Sequence, residues 1–271
     1  MNNSEPNSDQ QFKKTVRRKT IRSFVWFFLF IALAFIGWNW LLNQPEDEGI
    51  LHPLRKMVSA NSKIAESAVY NNKHLAPEYP KSSAANDVRV NGDLGMKSEL
   101  SASEWKLQVV RNSDHSPEPA DTFYVTLDEL KKLPKTEVIF NFKCIEGWSQ
   151  ITWWGGVRYA DFAAAYKLGT KSGHAPDKNH PEDYFNYAGI YTPDREYYVG
   201  IDMPSMLHPQ TILCYEMNGK PLPDEQGAPL RLIIPVKYGV KHIKRIGTLY
   251  YSDTPPPDYW TEQGYDYYAG L

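Results

Sequence analysis

One run of residues without a charge restricts this chain more than any other feature. Residues 24–42 (FVWFFLFIALAFIGWNWLL) contain no acidic or basic side chain. As a helix this run would span about 28 Å, which matches the hydrocarbon core of a bilayer. It lacks the small-residue cleavage site of a removed signal peptide, and Trp38 and Trp40 near its end suit a membrane interface. The sequence therefore predicts a single transmembrane helix at residues 24–42.

The charges on either side of this helix predict its orientation. Residues 1–23 hold six lysines and arginines against two acidic residues, whereas Glu46-Asp47-Glu48 follow the helix. Lysine and arginine are enriched on the cytoplasmic side of membrane helices. We therefore expect residues 1–23 to form a cytoplasmic basic tail, and the part of the chain after Leu42 to lie on the outer side of the membrane.

The part of the chain after the helix divides by composition. Residues 43–86 are polar and contain four prolines, which predicts a stalk and N-terminal extension with one short helix near Asn61–Tyr70. Residues 87–271 are predicted to form the compact domain. The net charge is -2, and no clustered basic face indicates a nucleic-acid partner.

Strand and turn patterns predict an α+β domain that is mixed and strand-rich. Runs of β-branched and aromatic residues between turn residues indicate strands. Residues 170–193, rich in Gly, His, Pro, Asp and Asn, are predicted to form a long surface loop. The predicted strands are Trp105–Val110, Thr122–Val125, Glu137–Phe142, Tyr197–Ile201, Arg231–Pro235 and Ile243–Tyr251, and the predicted helices are Leu127–Leu133 (entered through Thr126), Tyr159–Leu168 and Met203–Thr211.

Cys144 stands at the end of a predicted strand, where a rigid scaffold commonly positions functional loops. A cysteine thiolate is a strong ligand for soft metals. The alternative is an ordinary buried cysteine, because free cysteines are among the most buried residue types. A cysteine-based thiol enzyme is a further alternative, but no CxxC spacing supports it. The other cysteine, Cys214, lies in an apolar run and is predicted to be a core residue.

A second informative stretch lies about 90 positions downstream. Asn218-Gly219-Lys220 predicts a hairpin turn, and Lys237–Lys244 combines a glycine turn with basic residues. Exposed backbone N–H groups beside basic side chains suit an anion, especially a phosphate. A basic hairpin on a solvated face is the alternative.

Together these stretches resemble the molybdopterin-binding domain of the sulfite oxidase superfamily, and within it the branch that includes periplasmic methionine sulfoxide reductases. The resemblance extends from about Arg89 to the C-terminus. It rests on the order and spacing of Lys143–Val157, Leu213–Gly219, Gly227–Pro235 and Lys237–Lys244. It implies a sulfite-oxidase-type fold and a molybdenum–molybdopterin cofactor.

The resemblance also assigns roles to individual residues. Cys144 takes the position of the catalytic cysteine, whose thiolate is the protein ligand to molybdenum. Other positions match residues that contact the pterin or its phosphate. The implied cofactor-binding residues besides Cys144 are Arg89, Asn91, Gln226, Arg231, His242, Ile243 and Lys244.

One departure from the family pattern bears on the substrate. Sulfite oxidases usually carry arginines just after the cysteine, where a sulfite dianion needs positive charge, but this chain has Ile145-Glu146-Gly147-Trp148. The resemblance therefore implies a membrane-anchored oxidoreductase that transfers an oxygen atom and reduces a sulfoxide-like substrate, either a small molecule or protein-bound. The alternatives are a sulfite-oxidising enzyme and a non-catalytic, membrane-tethered interaction domain. No haem-binding CxxCH occurs, so we expect a separate electron-transfer partner, either a haem protein or a quinone-linked membrane protein.

Overall fold

A long helix, α1 (Ser8–Leu42), contains the predicted transmembrane segment. It is the one helix long and apolar enough to cross a membrane in the computed structural model, which describes residues 8–47, 50–69, 75–90, 92–97, 100, 103–111 and 121–270. A membrane anchor and a signal sequence share this property. The chain divides into two compact units, Met1–Ala60 and Asn61–Leu271.

A short hairpin and a second helix follow α1. Strands β1 (Glu46–Asp47) and β2 (Ile50–Leu51) pair antiparallel, and α2 (His52–Val69) starts directly after them. The helix predicted near Asn61–Tyr70 is therefore present but starts much earlier, with Pro53 in its first turn, where proline is well tolerated. Tyr70 lies outside the described residues.

Two five-stranded sheets form the framework of Asn61–Leu271. In one sheet the order is β10-β9-β6-β5, with β11 also paired to β9, and in the other it is β4-β3-β12-β7-β8. All pairs are antiparallel except the parallel pair β3–β12. The strands are β3 (Lys106–Val110), β4 (Thr122–Thr126), β5 (Lys135–Lys143), β6 (Ser149–Arg158), β7 (Tyr187–Tyr191), β8 (Tyr198–Asp202), β9 (Ile212–Met217), β10 (Lys220–Pro221), β11 (Arg231–Ile233) and β12 (Thr248–Ser252).

The helices of this unit are short and lie between strands. The predicted entry through Thr126 is confirmed, because the Thr126 Oγ1 accepts from the Glu129 N–H at 3.3 Å and a Glu129 carboxylate oxygen accepts from the Thr126 N–H at 2.7 Å. Such reciprocal bonds satisfy N–H groups that a helix start leaves unpaired. The four helices are α3 (Leu127–Leu130), α4 (Tyr159–Tyr166), α5 (Met203–Met206) and α6 (Tyr259–Glu262).

Each of the six predicted strands overlaps a strand of the structure, which also contains strands that the sequence pattern does not predict. The expectation of a continuous loop over residues 170–193 is wrong, because β7 lies within it. Strand β6 contains Gly155-Gly156, which weakens any strand signal. Here the glycines serve close packing, since a Cβ on Gly156 would lie 2.1 Å from the Leu213 carbonyl oxygen of β9. The predicted turn at Asn218-Gly219 joins β9 to β10, and both residues have positive φ, +51° and +71°.

A cluster of buried side chains from the first sheet lies below the loop that carries Cys144. It includes Phe140, Phe142, Trp154 and Ile233. Cys214 belongs to this cluster and is fully buried, which confirms its prediction as a core residue, and burial raises the pKa of its thiol to about 12. This apolar layer supports the β5–β6 loop from beneath.

Candidate functional site

Cys144 lies in the tight loop between β5 and β6. Its N–H donates to the Trp148 carbonyl oxygen at 2.9 Å, and the Gly147 N–H donates back to the Cys144 carbonyl oxygen at 3.1 Å. Gly147 has φ +91°, which glycine adopts at little cost. The Cys144 side chain is only 5% exposed and lines a cavity of about 150 Å³. Neither cysteine forms a disulfide, so the Cys144 sulfur is held as a thiol at the cavity wall.

The cavity wall combines aromatic and charged side chains from distant parts of the chain. Tyr197 is held in place by its hydroxyl, which donates to the Val240 carbonyl oxygen at 2.5 Å, and burial raises the pKa of this phenol. Trp260 of α6 and Tyr265 complete the aromatic part. The other lining residues are Gly92, Leu94, Ile145, Glu146, Arg231, Gly239, Val240, His242 and Lys244.

Arg231 is a buried charge on this wall, with only 2% of its surface exposed. Nη1 donates to the backbone and side-chain oxygens of Gln226, both at 3.0 Å, and Nη2 donates to the His242 carbonyl oxygen at 3.2 Å. Nε finds no hydrogen-bond partner among the described residues, and no described carboxylate forms an ion pair with the guanidinium. Burial lowers the pKa of Arg231 to about 10.

A buried charge without a counter-charge is costly, and most buried charges are paired. Arg231 therefore fits a site that receives an anion. Its guanidinium also lies over the Trp154 ring, 4.7 Å from the centroid, and this contact and the bonds to Gln226 fix its orientation. Phosphate is matched well by such a planar set of donors.

Lys244 adds a second cation to the wall. Its Nζ donates to the carbonyl oxygens of Gly92 and Glu225, both at 3.0 Å. Burial, and then repulsion from Arg231, lower the pKa of Lys244 to about 8. Gly227 lets this side chain come close, because it has φ +100° and a Cβ there would lie 2.8 Å from Lys244 Cβ. The two cations thus face one cavity and favour an anion in it.

His242 also lines the cavity, but its ring nitrogens are bonded to the backbone. Nδ1 accepts from the Ile234 N–H at 3.4 Å, and Nε2 therefore carries the proton that is donated to the Lys237 carbonyl oxygen at 3.1 Å. The ring stands edge-on to Phe142, with centroids 4.7 Å apart. Burial, and then Arg231, lower the pKa of His242 to about 3. We conclude that His242 is neutral and shapes the wall.

The His242→Gln variant is expected to be less sensitive to acid than the natural chain. Because the pKa of His242 is about 3 in the folded state and ordinarily 6.5, the unfolded state binds more protons between these pH values. Stability is then lost as the pH falls through this window. Glutamine keeps a donor and an acceptor but does not titrate. Between pH 7 and 4 the variant should gain on the order of a few kcal/mol relative to the natural chain, measured by urea unfolding. A difference independent of pH would contradict this.

Two further residues that the family resemblance implies, Gln226 and Arg89, lie near Arg231. Gln226 is buried and uses its amide to hold Arg231 and to donate to the Val88 carbonyl oxygen at 3.1 Å. Arg89 is exposed, and its guanidinium lies 4.7 Å from the centroid of a Trp148 ring. Both line a smaller neighbouring cavity that Arg231 shares.

The last two implied residues contribute no described side chain to either cavity. The Ile243 side chain is packed in the larger apolar core, so only its backbone is available to a ligand. Asn91 lies outside the described residues. The roles of all these residues toward a cofactor stay predictions.

The predicted basic stretch contains three lysines, Lys237, Lys241 and Lys244, and the last of them lines the cavity. Lys237 is buried in an ion pair with Asp202 at 2.7 Å, and Lys241 is buried in an ion pair with Asp258. Their charges are balanced inside the protein, which leaves Lys244 as the lysine of this stretch on the cavity wall. The alternative of a solvated basic hairpin is also wrong, since these lysines are buried.

Comparisons with known proteins agree with this geometry. The chain is 31% identical over 227 residues to the putative protein-methionine-sulfoxide reductase subunit YedZ1 of Azospira oryzae, which covers 83% of this chain and 79% of that protein. It is 34% identical over 143 residues to the protein-methionine-sulfoxide reductase catalytic subunit MsrP of Xanthomonas axonopodis pv. citri, which covers 50% of this chain and 43% of that protein. The chain thus spans less than half of that second relative.

Structural similarity and the family model complete the comparison. The crystal structure of the sulfane dehydrogenase SoxCD from Paracoccus pantotrophus aligns with 58% of this chain and 40% of that chain, at a TM-score of 0.45 and 17% identity, and no conclusion rests on it. The family model "Oxidoreductase molybdopterin binding domain" matches residues 94–260, which include Cys144, Arg231 and Lys244. The predicted resemblance is confirmed, and the chain belongs to the molybdopterin-binding oxidoreductase family of the sulfite oxidase type.

Proposed function

We propose that this enzyme holds a molybdenum–molybdopterin cofactor in the cavity beside Cys144 and uses it to reduce a sulfoxide. The observation that carries the proposal is Arg231, a buried cation without a carboxylate partner among the described residues, on the same cavity wall as a buried thiol. A soft metal and a phosphate are the ligands that these two groups prefer. Molybdopterin carries both together.

Different side chains of the protein would bind different parts of the cofactor. Cys144 would supply the thiolate to molybdenum, and Arg231 and Lys244 would bind the phosphate. Among the described residues, no group of three or more His, Cys, Asp or Glu side chains could hold a metal ion unaided, so a metal here must bring further ligands with it. When bound, the cofactor supplies two-electron oxygen-atom transfer, and the protein supplies orientation and pocket polarity.

Glu146 supports a neutral substrate rather than sulfite. It lines the cavity two residues after Cys144, and its carboxylate accepts from the Trp148 indole N–H at 3.0 Å. A carboxylate this near to Cys144 disfavours a dianion there, whereas a sulfoxide carries no net charge. The side chains of Ile145 and Tyr265, also on this cavity, are exposed, so a methionine sulfoxide on a protein surface can approach. Two relatives are named as protein-methionine-sulfoxide reductase subunits, and we infer the same substrate class.

We further propose that α1 remains as a membrane anchor, with residues 1–23 in the cytoplasm and 24–42 in the bilayer. Residues 43–86 would then connect it to a periplasmic domain at 87–271. The whole chain has two cysteines, 144 and 214, and no haem-binding CxxCH. Electrons would therefore come from a separate haem protein or quinone-linked membrane protein.

The full chain, purified from cells that make molybdopterin, tests the proposal. Metal analysis should find about one molybdenum per chain, and a chemically reduced viologen dye should be oxidised when a protein containing methionine sulfoxide is added. Sulfite with ferricyanide should give little turnover. A folded, metal-free chain from such cells would overturn the cofactor assignment. A molybdenum-loaded chain that oxidises sulfite faster than it reduces sulfoxides would overturn the substrate.

The variant Glu146→Gln is expected to raise kcat/KM for sulfite by roughly tenfold, because two like charges a few ångströms apart repel by about 1 kcal/mol even in water. The value for a neutral sulfoxide should change much less. Glu182→Gln is the control, since Glu182 is an exposed acid in another loop, 3.0 Å from His180. Equal changes for both substrates would contradict a role for Glu146 in charge selection.

A further inference from the structure

Helix α2 carries exposed apolar side chains on one side and the exposed Lys56 on another. Met57 and Val58 follow Leu54 by three and four residues, and Ile64 follows Met57 by seven residues, or about two turns, so the four share one side of the helix. All four are exposed, at 39%, 65%, 37% and 64%. Exposed apolar stripes of this size on a soluble domain usually mark a surface that is covered in the cell.

The start of α2 is held close to the end of α1. Only residues 43–51 separate the two helices, and the pairing of β1 with β2 turns the chain back on itself. The first N–H of α2, on His52, donates to the Pro45 carbonyl oxygen at 2.9 Å. Trp38 and Trp40, in the last turns of α1, are exposed and suit the level of the lipid headgroups.

We propose that α2 lies flat in the outer interface of the membrane that α1 spans, with the Leu54–Met57–Val58–Ile64 side in the lipid. A helix with one apolar side and Lys or Arg on the other lies in the interface plane, about 5–10 Å into the headgroup–acyl boundary. Lys56 is exposed off the apolar side, which suits anionic headgroups, whereas Arg55 is buried. The inference rests on the proposed anchoring of α1, because this places the start of α2 at the membrane.

The test uses the full chain with one nitroxide label on α2, in vesicles of phosphatidylethanolamine and phosphatidylglycerol. Met57→Cys places the label on the apolar side, and Lys56→Cys, one residue away, is the matched control on the basic side. The natural cysteines, Cys144 and Cys214, are buried, and the unmutated chain treated in parallel shows any labelling of them. Relaxation of the label by oxygen, which concentrates in hydrocarbon, is compared with relaxation by a water-soluble nickel complex.

The ratio of oxygen to nickel accessibility should exceed one at Met57 and fall below one at Lys56. If the mass of the chain shows that α1 is retained and both ratios are below one, the placement of α2 is wrong, whereas the proposed anchor is unaffected. If the label at Met57 is protected from both reagents and dipolar broadening between labels is seen, a second copy of the chain covers the apolar side of α2. This result would also overturn the placement of α2 in the lipid. A mature chain that lacks residues 1–42 overturns the proposed anchor, and the placement of α2 with it.

Discussion

The Cys144→Ser chain is expected to be purified folded, but without molybdenum and without oxygen-atom transfer. A serine hydroxyl is a hard and weakly acidic ligand, whereas a soft metal prefers a thiolate. Activity should fall below about one thousandth of the natural value, the scale seen when a group at the reacting centre is removed. The fold should persist, because Cys144 lies in a hydrogen-bonded loop rather than in the apolar core. Metal analysis, dye oxidation and thermal unfolding measure these three properties.

Cys214→Ala separates this effect from a general effect of losing a cysteine. Cys214 is fully buried in the core beside β11, and burial keeps its thiol protonated by raising its pKa to about 12. Its loss should cost roughly 1 kcal/mol of stability through a small cavity, with molybdenum content unchanged. A Cys144→Ser chain that still held molybdenum and turned over normally would remove Cys144 from the site.

The Arg231→Met variant is expected to lower molybdopterin occupancy more than about tenfold, since a buried charge-assisted contact contributes roughly 1.5–3 kcal/mol. The stability of the cofactor-free chain should change little. Burial lowers the pKa of Arg231 from 12.5 to about 10, so removal of the charge relieves about 3 kcal/mol. The three oxygens of Gln226 and His242 that it leaves without donors cost about 1–3 kcal/mol each, so the two effects balance at the lower end of this range. Pterin released on denaturation and metal content measure occupancy, and urea unfolding measures stability.

Two further variants identify which property of Arg231 matters. Arg231→Lys keeps the charge but loses the planar donors, so its occupancy should lie between those of the natural chain and Arg231→Met. Arg158→Gln is the matched control, because Arg158 is exposed and bonds Asp161 at 2.8 Å, and it should retain full occupancy. Full occupancy in Arg231→Met would exclude the phosphate role.

Local sequence determines the parts of this fold that could be predicted. The capping box at Thr126 and the turn at Asn218-Gly219 each depend on residues within a few positions of one another, and both are present. Strand β6 was missed because its glycines are needed only for contact with β9, a strand far away in the sequence. Long-range packing is not visible in local pattern.

The candidate site likewise combines residues that the sequence indicates with residues that only long-range packing brings there. Cys144, Arg231 and Lys244 were singled out from the sequence, and the structure brings all three to one cavity. Lys237 and Lys241 belong to the same basic run but face Asp202 and Asp258, which lie 35 and 17 positions away. Nothing in the run itself distinguishes a lysine that meets a buried carboxylate from one that faces a cavity. Trp260 and Tyr265 also line the cavity because of long-range packing, which their local sequence does not reveal.

The distribution of the cavity wall along the chain has a consequence for biosynthesis. Gly92, Cys144, Arg231 and Tyr265 all contribute to it, so no fragment emerging from the ribosome holds the complete wall. Since synthesis proceeds from the N-terminus, the cavity closes only after nearly the whole chain has been made. Insertion of the proposed cofactor would then follow the synthesis of Tyr265, and a ligand that binds only the finished domain would also stabilise it against unfolding.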